Sequence, residues 1–159
     1  PFILEISLIG ELDENVNLFV TIGHPKPNMI VNCRGISRVA SAGISPWMSY
    51  FTFVKSQGFV LQFVECSPAV TNTFSMLKSF SCGGEVLSVA APFRCDSCDF
   101  DFGIVVPTTD ITKLQQLLEP RVCGRCTKRA VFDEIAAEFF QFMTFESSKV
   151  ISQPKSPSP

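Results

Sequence analysis

Short apolar runs bounded by Gly, Pro or Ser alternate along the chain with stretches in which apolar residues return every three or four positions. The first pattern reads as strand and the second as helix. Phe2 to Ile9 is apolar apart from Glu5 and Ser7 and stops at Gly10, which predicts a largely buried strand. Glu11 to Asn17 is a polar connection, and Pro25 and Pro27 exclude a regular element between Gly23 and Asn28. Met29 to Cys33, Phe59 to Val64 and Val86 to Ala91 are the further strand-like runs of this region.

Between them the period changes. Ile44, Trp47, Met48, Phe51 and Val54 share one helical face, and Val70, Phe74 and Leu77 repeat the arrangement. Each helix has a serine followed by proline at a candidate start, Ser45 with Pro46 and Ser67 with Pro68. Serine caps the free N–H groups there, and proline at the first helical position loses no useful donor. A start at Ser45 leaves Ala40 to Gly43 as a loop. Helices alternating with strands define an α/β layer structure over residues 1–92, in which helix-linked strands tend to run parallel.

Residues 93–146 read differently. Phe102 to Val106 is extended, and a helix capped by Asp110 displays Leu114, Leu117 and Leu118 before Pro120. Phe132, Ile135, Ala136, Phe139 and Met143 mark a final amphipathic helix that should pack on the chain's own core. From residue 147 to 159 the sequence turns to Ser, Pro, Lys and Gln, the composition of a disordered tail.

The chemistry concentrates in this second region. Cys95 and Cys98 form one Cys-x-x-Cys pair, Cys123 and Cys126 a second, with 24 residues between. Two such turns facing each other complete the tetrahedral four-sulfur shell that zinc favours, so one structural zinc per chain is expected. Iron, a redox pair or disulfides are the competing readings of the same spacing. Cys33, Cys66 and Cys82 lie in or beside apolar segments and read as buried small hydrophobes. Four thiolates around a divalent ion leave a formal charge of about −2, which basic groups or backbone N–H donors offset. Arg94 precedes the first pair, and Arg121, Arg125, Lys128 and Arg129 surround the second. Asp96, Asp99 and Asp101 accompany the first, so the two halves should attract on folding. Gly124 offers a small residue where N–H groups approach sulfur; the first pair has Ser97 there.

Composition removes several functions. The 159 residues are 46% hydrophobic, with 16 Phe against one Trp and one Tyr, enough for an aromatic core. A net charge of −2 provides no global field for nucleic acid, which is not expected as a partner. No apolar run approaches the ~20 residues of a membrane span. Thiolate ligands beside unpaired buried cysteines fit a reducing, cytoplasmic compartment. His24 is the single histidine, which argues against a catalytic zinc or a Ser/His/Asp set. Ser81 to Gly84 lacks the lysine and spacing of a phosphate loop, and Asp13 beside Glu14 reads as a solvated turn. An enzyme is not expected.

The order strand, strand, helix, strand, helix, strand resembles the STAS domain, named for sulfate transporters and anti-sigma factor antagonists. Leu8-Ile9-Gly10-Glu11-Leu12-Asp13 is similar to that family's first strand and its Gly-x-Leu-Asp turn. Ile36-Ser37-Arg38-Val39-Ala40-Ser41-Ala42-Gly43-Ile44 is similar to the loop that enters its first long helix, and Gly58-Phe59-Val60-Leu61 to its Gly-led third strand. The resemblance covers Phe2 to Pro92. It implies a STAS-like mixed sheet with helices, here followed by a zinc-ribbon-like four-cysteine unit and a C-terminal helix. By position Ser41 would be the phosphoacceptor and Ala40, Ser41, Ala42 and Gly43 the partner-binding loop. The family's acid before the acceptor and its second hydroxyl residue are Ala40 and Ala42 here. The implied function is a non-enzymatic signalling module that binds another protein, an anti-sigma factor or serine kinase. The alternatives are a nucleic-acid-associated ribbon adaptor and a thiol- or metal-responsive switch.

Overall fold

The structure is a computed structural model that describes residues 2–144; the expected tail at 147–159 lies outside the described residues. The chain has the mixed α/β architecture expected of it. Its elements run β1 (Leu4–Leu12), α1 (Leu18–Thr21), β2 (Asn28–Val39), α2 (Ser41–Ser56), β3 (Val60–Val64), α3 (Pro68–Met76) and β4 (Glu85–Val86). Then follow β5 (Ser88–Cys95), β6 (Phe100–Pro107), α4 (Leu114–Leu117), β7 (Arg121–Val122), β8 (Arg129–Phe132) and α5 (Ala136–Phe139). Strands β1 to β4 make a parallel sheet in that order. A second, antiparallel sheet has the order β6-β5-β8-β7.

The parallel sheet buries alternate residues. Leu8, Leu12, Met29, Val31, Cys33, Leu61 and Phe63 point to the core while Glu5, Ser7 and Ile9 are exposed. Trp47 on α2 stacks between Phe63 (5.4 Å between ring centroids) and Phe80 (4.9 Å), and meets Phe51 edge-on at 4.6 Å. Its indole N–H donates to the Phe80 carbonyl at 2.8 Å, so full burial strands no polar group. Ser67 caps α3 by accepting from the Val70 N–H, with Pro68 as its first residue, as the sequence predicts.

Four expectations change. The long helix begins at Ser41 rather than Ser45, so Ala40 to Gly43 is not a loop: β2 continues to Val39, and Ala40 caps α2. The cause is a contact from far along the chain. The Ala40 N–H donates to the Leu12 carbonyl at 2.8 Å, and a Cβ on Gly43 would lie 2.3 Å from that carbonyl oxygen, a space open to glycine alone. Pro46 therefore sits inside the helix. The bond it omits would have ended on the carbonyl of Ala42, an exposed residue that water can reach.

The run Val86 to Ala91 is also two strands: β4 pairs with β3, whereas β5 pairs with β6. Leu87 sits at the switch, donating its N–H to Phe63 while its carbonyl accepts from Thr108. Strand β5 runs on through Pro92 to Cys95, so position 92 falls inside a strand. At its start Val89 bridges Cys66, which ties the two sheets together. Arg34 adds a second tie, pairing with Glu65 at 3.1 Å and donating to the Gly103 carbonyl at 3.4 Å.

Finally, Phe132 ends strand β8 opposite Phe93 instead of opening the last helix, and Ile135 is exposed. The helix that follows does pack on the chain's own core, through Phe139, Phe140, Phe142 and Met143. Ser75 of α3 fixes it, donating to the Phe139 carbonyl at 2.8 Å and accepting from the Phe142 N–H at 3.3 Å. The segment capped by Asp110 is a 3-10 turn at Ile111–Lys113 leading into the single turn α4.

Candidate metal centre

Strand geometry delivers the cysteines. Cys95 closes β5, Cys98 lies in the turn to β6, and Cys123 and Cys126 lie in the turn between β7 and β8. The two turns close differently: the Cys98 N–H returns to the Cys95 carbonyl three residues back at 3.3 Å, and the Thr127 N–H to the Cys123 carbonyl four residues back at 2.9 Å. Each pair is followed by a residue with positive φ, Asp99 at 52° and Thr127 at 60°. This backbone reversal lets both thiols of a pair face the same point.

The four Sγ atoms lie within 4.8 Å of one another. Cys95 and Cys126 are 3.4 Å apart, and Cys98 and Cys123 are 3.7 Å apart. A zinc–sulfur bond of about 2.3 Å in a tetrahedron sets neighbouring sulfurs about 3.8 Å apart, so the donor set fits a single ion. All four are free thiols, separated by far more than the ~2.05 Å of a disulfide bond. Cys95 and Cys123 are buried against Ala130, and Phe100 and Phe102 stack beside them. This cluster can hold a metal.

Protonation differs around the shell. Burial and contact with the thiols of Cys126, Cys123 and Cys95 push the Cys98 thiol up to about 12. Burial opposes ionisation of Cys123 too, but backbone N–H donation from Cys126 and Arg125 and contact with the Cys98 and Cys95 thiols together outweigh it and bring this thiol down to about 7. The Arg125 N–H lies 3.4 Å from the Cys123 sulfur. Gly124 is not sterically required, since a Cβ there would meet nothing within 4 Å.

The expected attraction between the halves takes another form. Arg94 pairs with Asp99 of its own turn at 3.1 Å, and among the described residues no ion pair joins the two turns. Arg121 turns away to bind the Leu117 carbonyl at 2.8 Å. Arg125, Lys128 and Arg129 remain exposed.

The other candidates lie elsewhere. Ser41 is exposed at the first position of α2, flanked by Ala40 and Ala42, while Gly43 is buried against Leu12. His24 is exposed and outside the metal cluster. One relation escaped the sequence reading: Cys33 and Cys66 are both fully buried and in contact, and burial followed by the Cys66 thiol raises Cys33 well above its ordinary range. The segment after β3 brings Cys66 to Cys33, whose carbonyl accepts from the Ser67 N–H at 3.4 Å, and apolar periodicity alone does not carry that signal. Compared with models of known families, with curated proteins and with solved structures, the chain matches none.

Proposed function

We propose that the chain is a non-enzymatic regulatory module that binds another protein, with one structural zinc holding the four-cysteine unit in place. The observation that carries the metal half is the thiol geometry: four converging sulfurs, partly or fully buried, with no histidine or carboxylate ligand in the cluster. Such a donor set is saturated by the protein, which suits a structural rather than a catalytic ion. Bound zinc would supply a cross-link between the two turns. The thiols need a reducing compartment, and the cytoplasm provides one. Among the described residues no helix is long and apolar enough to cross a membrane.

The partner-binding half rests on the start of α2. Ser41 is exposed there, and its hydroxyl has no partner among the described residues. Ala40 gives α2 no side-chain cap, so the helix offers free N–H groups and the positive end of its dipole to an anion. A phosphate on Ser41 would meet both. A cleft of about 450 Å³ runs between β1 and the connection from Asp13 to Leu18, and Leu12, which lines it, is also the residue that packs on Gly43. An anti-sigma factor or serine kinase is the partner class that the STAS-like motifs imply.

Elemental analysis of the reduced protein should return one zinc per chain; no metal, or protected thiols that prove to be disulfides, rejects the site. Phosphopeptide mapping from the native cell should find modified Ser41, and Ser41→Asp should change retention of the partner in a pull-down. An unmodified Ser41 while the pathway is active removes the switch.

A further inference from the structure

The cations of the second turn are unspent, unlike most others among the described residues. Arg34, Arg38, Arg94 and Lys113 each pair with a carboxylate, and Lys55 and Arg121 each bind a backbone carbonyl. Arg125, Lys128 and Arg129 are exposed within five residues of one another and form no ion pair among the described residues. Nor does the sulfur cluster recruit their side chains, because Cys123 is contacted through the Arg125 backbone N–H. A short hairpin fixes their positions: Cys123 N–H donates to the Lys128 carbonyl at 2.7 Å, and β7 pairs with β8 at Val122 and Arg129.

We propose that the Arg125–Lys128–Arg129 turn is a contact surface for the phosphate backbone of nucleic acid. The overall charge of −2 does not prevent this. At physiological salt, charges beyond about 8 Å are screened, so an approaching strand meets the exposed trio and its immediate neighbours, the thiolate site included, rather than the net charge of the chain. Of the acids on the facing turn, Asp99 is held by its ion pair with Arg94 and Asp101 lies opposite Arg94 in the β5–β6 register, while Asp96 is exposed without an ion pair among the described residues. A duplex suits three fixed cations better than an acidic peptide does. It presents about one charge per 1.7 Å without ordering cost, and each neutralised phosphate releases counterions. Exposed aromatic rings for base stacking are missing from this turn, so contact is with the backbone and carries no sequence preference.

This surface is independent of the protein-binding reading. The test is fluorescence anisotropy of a labelled duplex of mixed sequence with the full zinc-loaded chain over a salt series. Three phosphate contacts predict a slope of log K against log salt of about −2.7, and Arg125→Ala, Lys128→Ala and Arg129→Ala should each lower its magnitude by about 0.9. Arg125→Lys keeps the charge and should keep the slope, which separates charge from structure. Zinc content and circular dichroism should stay unchanged in all four. Absence of binding at low salt, a slope untouched by the three alanine variants, or equal competition by a deca-glutamate peptide overturns the proposal.

Discussion

The parallel sheet and the four-cysteine unit solve the same problem with different physics. Around Trp47 the chain buries Tyr50, Phe51, Phe63, Phe74 and Phe80, and the helices α2 and α3 supply most of that surface. The buried cluster at the cysteines contains only Cys95, Cys123 and Ala130. Dispersion and the hydrophobic effect suffice for the first. The second has too little apolar area to order two turns, and a metal cross-link is the chemistry its residues offer in compensation. The difference shows where each region should fail.

Removing zinc from a loaded chain should have the largest effect. Structural zinc sites contribute on the order of 10 kcal/mol to folding, so chelation should melt the turns around Cys95–Cys98 and Cys123–Cys126. Hydrogen exchange should show protection lost there and kept across β1 to β3. Cys95→Ser should act in the same direction. Equal loss in both regions would dissolve the contrast. Metal uptake should also weaken as pH falls, because each ligand must shed its proton and Cys98 holds its proton up to about 12 in the metal-free chain.

Trp47→Ala sharpens the other side. It should cost about 3–5 kcal/mol in denaturant unfolding, through the lost burial and the cavity between Phe63 and Phe80, while folded protein still binds one zinc. Ser75→Ala tests how firmly the final helix is fixed to α3. Leaving the buried Phe142 N–H without its acceptor should cost about 1–3 kcal/mol, and exchange at Phe139 to Met143 should rise before the sheet responds.

The smallest effect is in alkali. Burial raises Cys33 above its ordinary value of 9.0, so the folded state keeps a proton that the unfolded chain gives up. Its contribution is therefore complete below pH 9.0 and is lost as pH rises from there towards the folded-state value. Cys33→Ala should flatten the alkaline limb of a stability-against-pH curve.

These regions also differed in how openly the sequence announced them. The metal cluster was legible because spacing of reactive residues encodes it directly, and Ser67 with Pro68 was legible because a cap acts within one turn. Ser45 with Pro46 has the same local form and misleads. The boundary there is set by Gly43 touching Leu12, a contact that propensity cannot see. Likewise Val86 to Ala91 is one apolar run, and nothing in its composition marks Leu87 as the point where the chain changes sheets. Phe132 fits both a helical face and a strand, and its pairing with Phe93 decides between them. The fate of the basic residues was hidden for a related reason: sequence gives the signs of the charges but not the distances.

Strand β5 turns these differences into a mechanical relation. Its last residue is Cys95, and near its start Val89 bridges Cys66 at the edge of the aromatic core. The first cysteine turn is the tip of the β5–β6 hairpin, so a load there would be carried by both paired strands together to the Val89–Cys66 bridge at the far end. A metal bound at the tip would clamp one end of this beam, while the aromatic core holds the other.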